Sequence, residues 1–300
     1  MNDARFMMSS STKPKWVRAK APLGPTYARL KELMKQYSLH TVCEEAHCPN
    51  VGECWGSGTA TFMIMGELCT RACRFCNVKS GKPNGLLDPE EPANIARAVR
   101  DLSLKYVVLT SVDRDDLLDG GASHFAKTIT AVRTLAPDVC IEALIPDFGG
   151  GFPQIQTVAQ AGPDVIGHNL ETTEPLTPKV RDLRASYHQS LGVLEHVKQL
   201  NRRVFTKSSL MLGLGEREEN VLQTFRDLRA VGTDFLTLGQ YLRPSPRNLP
   251  VVEYIKPERF SYYQEAAEKL GFLYVASGPL VRSSYRAGEY FVHKMTKPIP

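Results

Sequence analysis

Six of the seven cysteines fall within residues 43–76, in two sets of three. Cys43, Cys48 and Cys54 lie in "CEEAHCPNVGECW", and Cys69, Cys73 and Cys76 in "CTRACRFC". The opening stretch "MNDARFMMSSSTKPKWVRAKAP" lacks the apolar centre of a secretory signal. The expected compartment is therefore the cytoplasm, or an organelle matrix in a eukaryote, where thiols stay reduced. Clustered cysteines then read as metal ligands rather than disulfides. Three thiolates are one short of the closed tetrahedron of structural zinc. They suit a four-iron cluster in which one iron is left open to another ligand. The C-x3-C-x2-C set is the strong signal. The C-x4-C-x5-C set, taken alone, would also serve a zinc site completed by His47 or His40. The remaining Cys140, alone in "VCIEALIP", reads as a packed core residue.

Such thiols need a scaffold that brings them to a reactive edge, and the chain after Thr61 supplies one. Short apolar runs bounded by turn residues read as strands at 61–67, 106–112, 139–147, 164–171, 203–213 and 234–242. "FLYVASGPL" offers one further strand. Helical periodicity separates these runs, in "EEPANIARAVRDLS", "ASHFAKTITAVRTLA", near 153–161, at 187–200, at 216–231, and in "PERFSYYQEAAEKLG", which opens on Pro257 and stops at Gly271. Six βα units in sequence predict an α/β fold with a parallel sheet and outer helices. They are too few for a closed eight-fold barrel, so we expect a partial (β/α)6 TIM-type barrel over 61–245. An N-terminal cysteine-bearing extension (1–60) and a C-terminal extension (246–300) flank it. Function collects at the carboxyl ends of such strands, and Cys69, Cys73 and Cys76 come just after the first.

Composition narrows the class. The 300 residues are 42% hydrophobic and 23% charged, which is globular. No apolar run approaches the roughly 20 residues of a membrane helix. Lys plus Arg number 37 against 32 Asp plus Glu, a net charge of +5. That is too mild, and too dispersed, for a nucleic-acid stripe; it suits an acidic protein partner. "GLGE" at 213–216 lacks the Lys-Ser/Thr of a phosphate cradle and reads as a turn.

"CTRACRFC" resembles the signature of the radical S-adenosylmethionine superfamily, whose open iron chelates the methionine moiety. Both triplets together resemble the lipoyl synthase family. The resemblance extends through "TFMIMGELCTRACRFCNV", "LTSVDRDDLLDGGASHF", "GHNLETT", "TKSSLMLGLGE", "GQYLRPS" and "GPLVRSSYRAGEY". It implies two 4Fe-4S clusters and S-adenosylmethionine. Cys69, Cys73 and Cys76 would hold the radical-generating cluster. Cys43, Cys48 and Cys54 would hold an auxiliary cluster that gives up sulfide, with a serine of "RSSY" as a displaceable fourth ligand. Ser284 is favoured and Ser283 is the fallback; outside the family context either reads as an ordinary turn serine. The implied reaction inserts sulfur at C6 and C8 of an octanoyl chain carried on a lysine of a lipoyl carrier domain, in E2 subunits of 2-oxoacid dehydrogenases or the glycine cleavage H protein. A reduced ferredoxin or flavodoxin would supply electrons.

Within that frame, Thr110, Ser111 and Asp113 at the second strand end are expected near the cofactor's ammonium. Asp113, Asp115 and Asp116 are read as crowding around Arg114, with Asp116 equally suited to capping or a loop ion pair. Asn169 and Glu171 would share one side and hold ribose hydroxyls, or cap a helix. Lys207, in an apolar strand, is expected to pair with Glu171 or the cofactor carboxylate, or to reach solvent. Arg243 would grip a carboxylate, and His168 reads as structural. A biotin-synthase-like sulfur inserter would lack the first triplet. A zinc-bearing binding module and an RNA-methylthiolating enzyme are the other rivals.

Overall fold

A computed structural model describes residues 13–17, 25–37, 39–41, 50–56 and 59–285. Cys43 and Cys48 lie outside these residues. Strand β1 (His40–Thr41) pairs antiparallel with β2 (Thr59–Ile64). From β2 the sheet runs parallel through β5 (Tyr106–Ser111), β6 (Cys140–Leu144), β7 (Val165–Gly167), β8 (Phe205–Leu212), β9 (Phe235–Gln240) and β10 (Tyr274–Gly278). Two short strands, β3 (Leu68–Cys69) and β4 (Lys79–Ser80), pair separately and brace the cysteine loop.

Outside the sheet, α1 (Pro25–Gln36) and α2 (Val51–Gly56) precede β2. The crossovers carry α3 (Glu91–Asp101), α4 (Ala122–Leu135), α5 (Phe152–Gln160), the short α6 (Thr177–Val180), α7 (Tyr187–Leu200), α8 (Glu218–Ala230) and α9 (Pro257–Lys269). Six crossovers thus join seven parallel strands, and β2 and β10 at its two ends do not pair. This is the partial barrel expected, with "FLYVASGPL" supplying the last strand. Among the described residues no helix is long and apolar enough to cross a membrane.

The period of two decides which side chains meet which layer. Val107, Leu109, Ile141, Ala143 and Ile166 face outward and pack in one core with Ile95, Val99, Phe125, Ile129 and Val158 of the helices. Leu210, Leu212, Leu236 and Leu238 do the same against Val221, Phe225, Phe260 and Tyr263. The alternate residues line the concave side. The register carries this inner row from Tyr106 to Cys140, from Glu142 to Val165, from Gly167 to Lys207 and from Lys207 to Phe235. Cys140 packs there beside Tyr106 and Val108, as a core cysteine should.

Strands stop earlier than their apolar runs. β2 ends at Ile64 because Met65 and Gly66 both turn left-handed, at φ 67° and 86°. For a non-glycine residue this costs about 1–2 kcal/mol, and the neighbours offset it. Glu91 accepts from the Met65 amide at 2.8 Å and contacts His124 at 2.6 Å, while Arg114 donates to the Met65 carbonyl at 3.1 Å. Gly121 sits at φ 90°, a backbone that strains any other residue, and the end of the Met65 side chain fills the space where a Cβ would stand. The turn redirects the chain from strand to cysteine loop.

Candidate active site

The loop after β2 is shaped by hydrogen bonds to the thiols themselves. Cys69 Sγ accepts from the amides of Arg71 and Asp113 at 3.4 and 3.3 Å. Cys73 Sγ accepts from Asp182 N at 3.3 Å, and Cys76 Sγ from Val78 N at 3.4 Å. Burial pushes the thiols up, to about 11 for Cys69 and Cys76 and about 12 for Cys73. Protein groups alone therefore keep all three protonated at neutral pH. A bound cation that displaces the protons is what makes them ligands, and three thiols on one loop fit a cluster in which each thiolate holds a different iron rather than a single shared ion. Among the described residues no three His, Cys, Asp or Glu side chains converge on one metal ion.

Arg71, between the first two cysteines, is the electrostatic hub of the loop. Its side chain is 3% exposed and forms paired hydrogen bonds with Asp115 and with Asp147, the closest at 2.8 and 2.6 Å. Asp113 stands further off, at 3.4 Å. Burial opposes the Arg71 charge, but Asp147 and Asp115 outweigh it and hold the guanidinium ionised. Asp147, though buried, is held down at about 2 by Arg71. Asp113 goes the other way, raised by burial with Arg71 only partly countering it. The crowding expected around Arg114 is thus corrected. Arg114 is buried, but it binds Asp116, at 2.8 and 2.9 Å, and Met65, while Asp113 and Asp115 face Arg71. Adjacency in sequence misled because successive residues of the loop point apart, Asp113 and Asp115 one way and Arg114 the other. Asp116 is a loop residue, held near 2 chiefly by Arg114 and also accepting from Gly85 N.

The loop opens on a cleft of about 150 Å³ lined by Cys73, Thr110, Ser111, Asp113, Asn169 and Glu171, together with Arg181. Ser111 Oγ is buried with no hydrogen-bond partner, a hydroxyl left for a ligand. Asn169 donates to Glu171 at 3.1 Å, so the two do share one side. Glu171 sits at φ 68° and bridges to Leu210, which lifts it over the mouth of the barrel. Burial raises its carboxyl; Arg181 and Asn169 pull the other way. Arg181 is 7% exposed and anchored on Ser190 at 2.7 Å. His168 is structural: Nδ1 lies against Ile145 O and Nε2 against Ser190 Oγ, both at 2.9 Å, and burial lowers it to about 4.

Two expected cofactor contacts stand elsewhere. Lys207 is 2% exposed and pairs with Glu142 at 2.8 and 3.0 Å, not with Glu171. The register accounts for this: both belong to the inner row, with Gly167 between them leaving room. Tyr106 donates to the same carboxylate at 2.7 Å. Arg243 is exposed, and its guanidinium closes its own loop on the carbonyls of Asn248, at 2.9 Å, and Pro246.

Cys54 lies in α2, a short helix rather than a loop, and is buried beside Trp55. That helix meets the C-terminal segment. Asn50 Nδ2 donates to Leu280 O at 2.5 Å and Tyr285 Oη to Glu53 at 3.2 Å. Ser283 and Ser284 fall in a half-buried turn between these ties. The segment crosses β9 at Gly239, where the Val281 carbonyl takes the place a Cβ would need.

Residues 63–228 match the radical SAM superfamily, and residues 4–48 match the N-terminal domain of lipoyl synthase of that family. A lipoyl synthase of Thermus thermophilus is 58% identical over 280 residues, 93% of this chain and 87% of that protein. A mitochondrial lipoyl synthase of Schizosaccharomyces pombe is 55% identical over 289 residues, 95% of this chain and 78% of the other. The chain belongs to the lipoyl synthase family. It is accordingly a sulfurtransferase of the radical SAM superfamily, an enzyme type that uses an iron–sulfur cluster and S-adenosylmethionine. Solved structures agree on the fold alone. The FeFe-hydrogenase maturase of Carboxydothermus hydrogenoformans superposes with TM-score 0.55 at 11% identity, over 90% of this chain and 70% of that one. Methylornithine synthase gives 0.50 at 13%, over 84% and 76%.

For a lipoyl synthase the site holds more than its motifs display. Arg71, Asp147, Arg181 and Asn248 were not singled out in the sequence. Arg71 carried the one available signal, a charged residue between two metal-ligand candidates. The other three arrive from distant crossovers and are recognisable only in three dimensions.

Proposed function

We propose that the two cysteine sets divide one reaction between them. Cys69, Cys73 and Cys76 would hold the radical-generating cluster; Cys43, Cys48 and Cys54, with Ser284 or failing that Ser283, would hold an auxiliary one. When bound, these two 4Fe-4S clusters and S-adenosylmethionine supply the electron, the carbon radical and the sulfur needed to functionalise unactivated C–H bonds, which no acid–base side chain can do. The substrate is an octanoyl chain on a carrier lysine, of an E2 subunit or the glycine cleavage H protein, and sulfur enters at C6 and C8. A ferredoxin or flavodoxin is the electron source, and the cytoplasm, or the mitochondrial matrix in a eukaryote, the setting.

The chain's own residues bind and orient. Thr110, the unpaired Ser111 hydroxyl and the Asp113 carboxylate suit an ammonium. Asn169 and Glu171 suit two vicinal hydroxyls, and Arg181 a carboxylate. The burial that raises Asp113 and Glu171 also excludes water, which protects a radical from quenching. Division of the chain into an arm and auxiliary loop (1–60), a barrel (61–245) and a closing tail (246–300) follows from the same reading. The single supporting observation is the cleft itself: a cysteine loop opening on a buried, unpaired hydroxyl among carboxylates and a guanidinium.

The test is anaerobic incubation of reconstituted enzyme with an octanoyl-lysyl peptide, S-adenosylmethionine and dithionite. Replacing any of Cys69, Cys73 or Cys76 should abolish 5′-deoxyadenosine formation. Cys54→Ala should retain cofactor cleavage and lose the dithiolated product. Equal loss of both activities in the two sets would refute the division.

A further inference from the structure

Three segments converge on the outer edge of the radical-site cysteine loop. Arg74 N donates to Val180 O at 3.0 Å, and Arg74 O accepts from Leu249 N at 3.1 Å. Asn248 Nδ2 donates to the Cys76 carbonyl at 2.8 Å. Each segment contributes exposed cations: Arg74 from the loop itself, Lys179 beside Val180, and Arg243 and Arg247 beside Asn248. Arg74 donates to the Lys179 carbonyl, and Arg243 spends its guanidinium on carbonyls of its own turn. Among the described residues none of the four is in an ion pair with a carboxylate. The acids flanking Lys179 in sequence are engaged already, Asp182 by Arg184 and the Ala72 amide, and Glu174 by His188, while Glu253 beyond Arg247 is exposed and forms no ion pair with the four among the described residues. A chain with a net charge of only +5 therefore gathers, among the described residues, four positive charges without a carboxylate partner on the loop of Cys73 and Cys76 and the two segments bound to it.

Exposed positive charges without partners do little for stability, and they repel one another. They do raise the local concentration and orient the approach of a negatively charged partner. The partner that needs this edge is the one that must come close to the cysteine loop without entering the cleft, an electron carrier. Resting on the proposed reading of Cys69, Cys73 and Cys76, we infer that Arg74, Lys179, Arg243 and Arg247 form the docking surface for a small acidic electron-transfer protein. In the docked pair one electron would leave the reduced carrier, which is oxidised by one electron, for the iron–sulfur cluster that Cys69, Cys73 and Cys76 would hold, which is reduced by one; no proton or atom crosses.

The experiment compares two reductants on the same reconstituted enzyme: dithionite, and an acidic flavodoxin kept reduced. The variants are Lys179→Glu with Arg247→Glu, and separately Arg74→Gln, so that a perturbed loop in the second does not remove the test. With flavodoxin at low ionic strength, deoxyadenosine formation in the double variant should fall tenfold or more, within the range by which steering accelerates association. Its salt dependence should flatten. With dithionite the rate should stay within twofold of wild type. Equal flavodoxin-driven rates in variant and wild type would overturn the inference. So would equal losses with both reductants, which would assign these charges to the cleft. So would a raised KM for the octanoylated carrier domain with dithionite, which would assign the surface to the substrate protein. If wild type fails with dithionite as well, the reading of the cysteines fails, independently of the docking surface.

Discussion

Replacing Arg71 with Met removes the hub of the cysteine loop while keeping most of the side chain's volume. The side chain of Asp147 is 0% exposed and has Arg71 as its counter-ion at 2.6 Å. Its carboxyl is held at about 2 against an ordinary 3.8, which at about 1.4 kcal/mol per pH unit corresponds to about 2.5 kcal/mol of native-state preference for the charged form. Asp115 is partly exposed and adds less. Breaking a buried pair from one side costs about 3–5 kcal/mol, because the remaining charge is stranded. We expect a loss in that range for the apo-protein at pH 7.5, measured by urea denaturation. The pH dependence has a definite sign. In wild type a depressed carboxyl contributes stability above its unfolded value, and loses it only as pH falls toward 2. In Arg71→Met the same carboxyl moves up by burial, so its penalty is largest at pH 7.5 and relaxes as it takes a proton. The gap between wild type and variant should therefore narrow at pH 5. Arg71→Lys should recover only part of the loss, since an ammonium cannot form two forked pairs. A destabilisation below about 1 kcal/mol, or a gap constant from pH 7.5 to 5, would refute the reasoning.

Other outcomes follow from the same geometry. Lys207→Met should cost about 3–5 kcal/mol by stranding Glu142, whereas Lys207→Met with Glu142→Leu should fall within about 1–2 kcal/mol of wild type; urea denaturation of the three proteins checks this. Gly239→Ala should displace the Val281 carbonyl, costing about 1–3 kcal/mol, with faster proteolysis after Gly278 and cofactor cleavage outlasting product formation. Ser284→Ala should change the EPR signature of the auxiliary cluster while Ser283→Ala leaves it as in wild type; the reverse pattern would move the ligand to Ser283. Gly121→Ala should strain the backbone held at φ 90° and push the end of the Met65 side chain aside, lowering the iron content bound at the Cys69 set, read by iron analysis after reconstitution.

The alternation of strands and helices was legible because each apolar run sits between turn residues, and β10 was visible in "FLYVASGPL" for the same reason. Cys69, Cys73 and Cys76 could be assigned to a strand end because β2 precedes them directly. Asn169 and Glu171 were paired on the premise that the strand continues to them; it ends at Gly167 and Glu171 turns left-handed, yet the hydrogen bond between them still puts the two together. Partners across the sheet were another matter. Lys207 meets Glu142 through the register of three strands, and no local pattern records register. Arg114 looked like the centre of the acidic run because it is adjacent in sequence. The true centre, Arg71, is 44 residues from Asp115 and 76 from Asp147. The turn at Met65 was hidden as well, since its left-handed backbone is imposed by Glu91 and Arg114 rather than by the residue type.

The tie between Asn50 and Leu280 spans 230 residues, and it bears on how the enzyme is made. During translation the barrel strands can emerge and pair in order, and the Cys69 loop is complete once β5 to β9 and the turn at Asn248 have formed. The turn bearing Ser283 and Ser284 leaves the ribosome long after the first triplet. On the proposed ligand set, metal loaded into the early cysteines during synthesis would wait for that turn, so iron delivery to that set should follow release of the finished chain, while delivery to the Cys69 set can precede it.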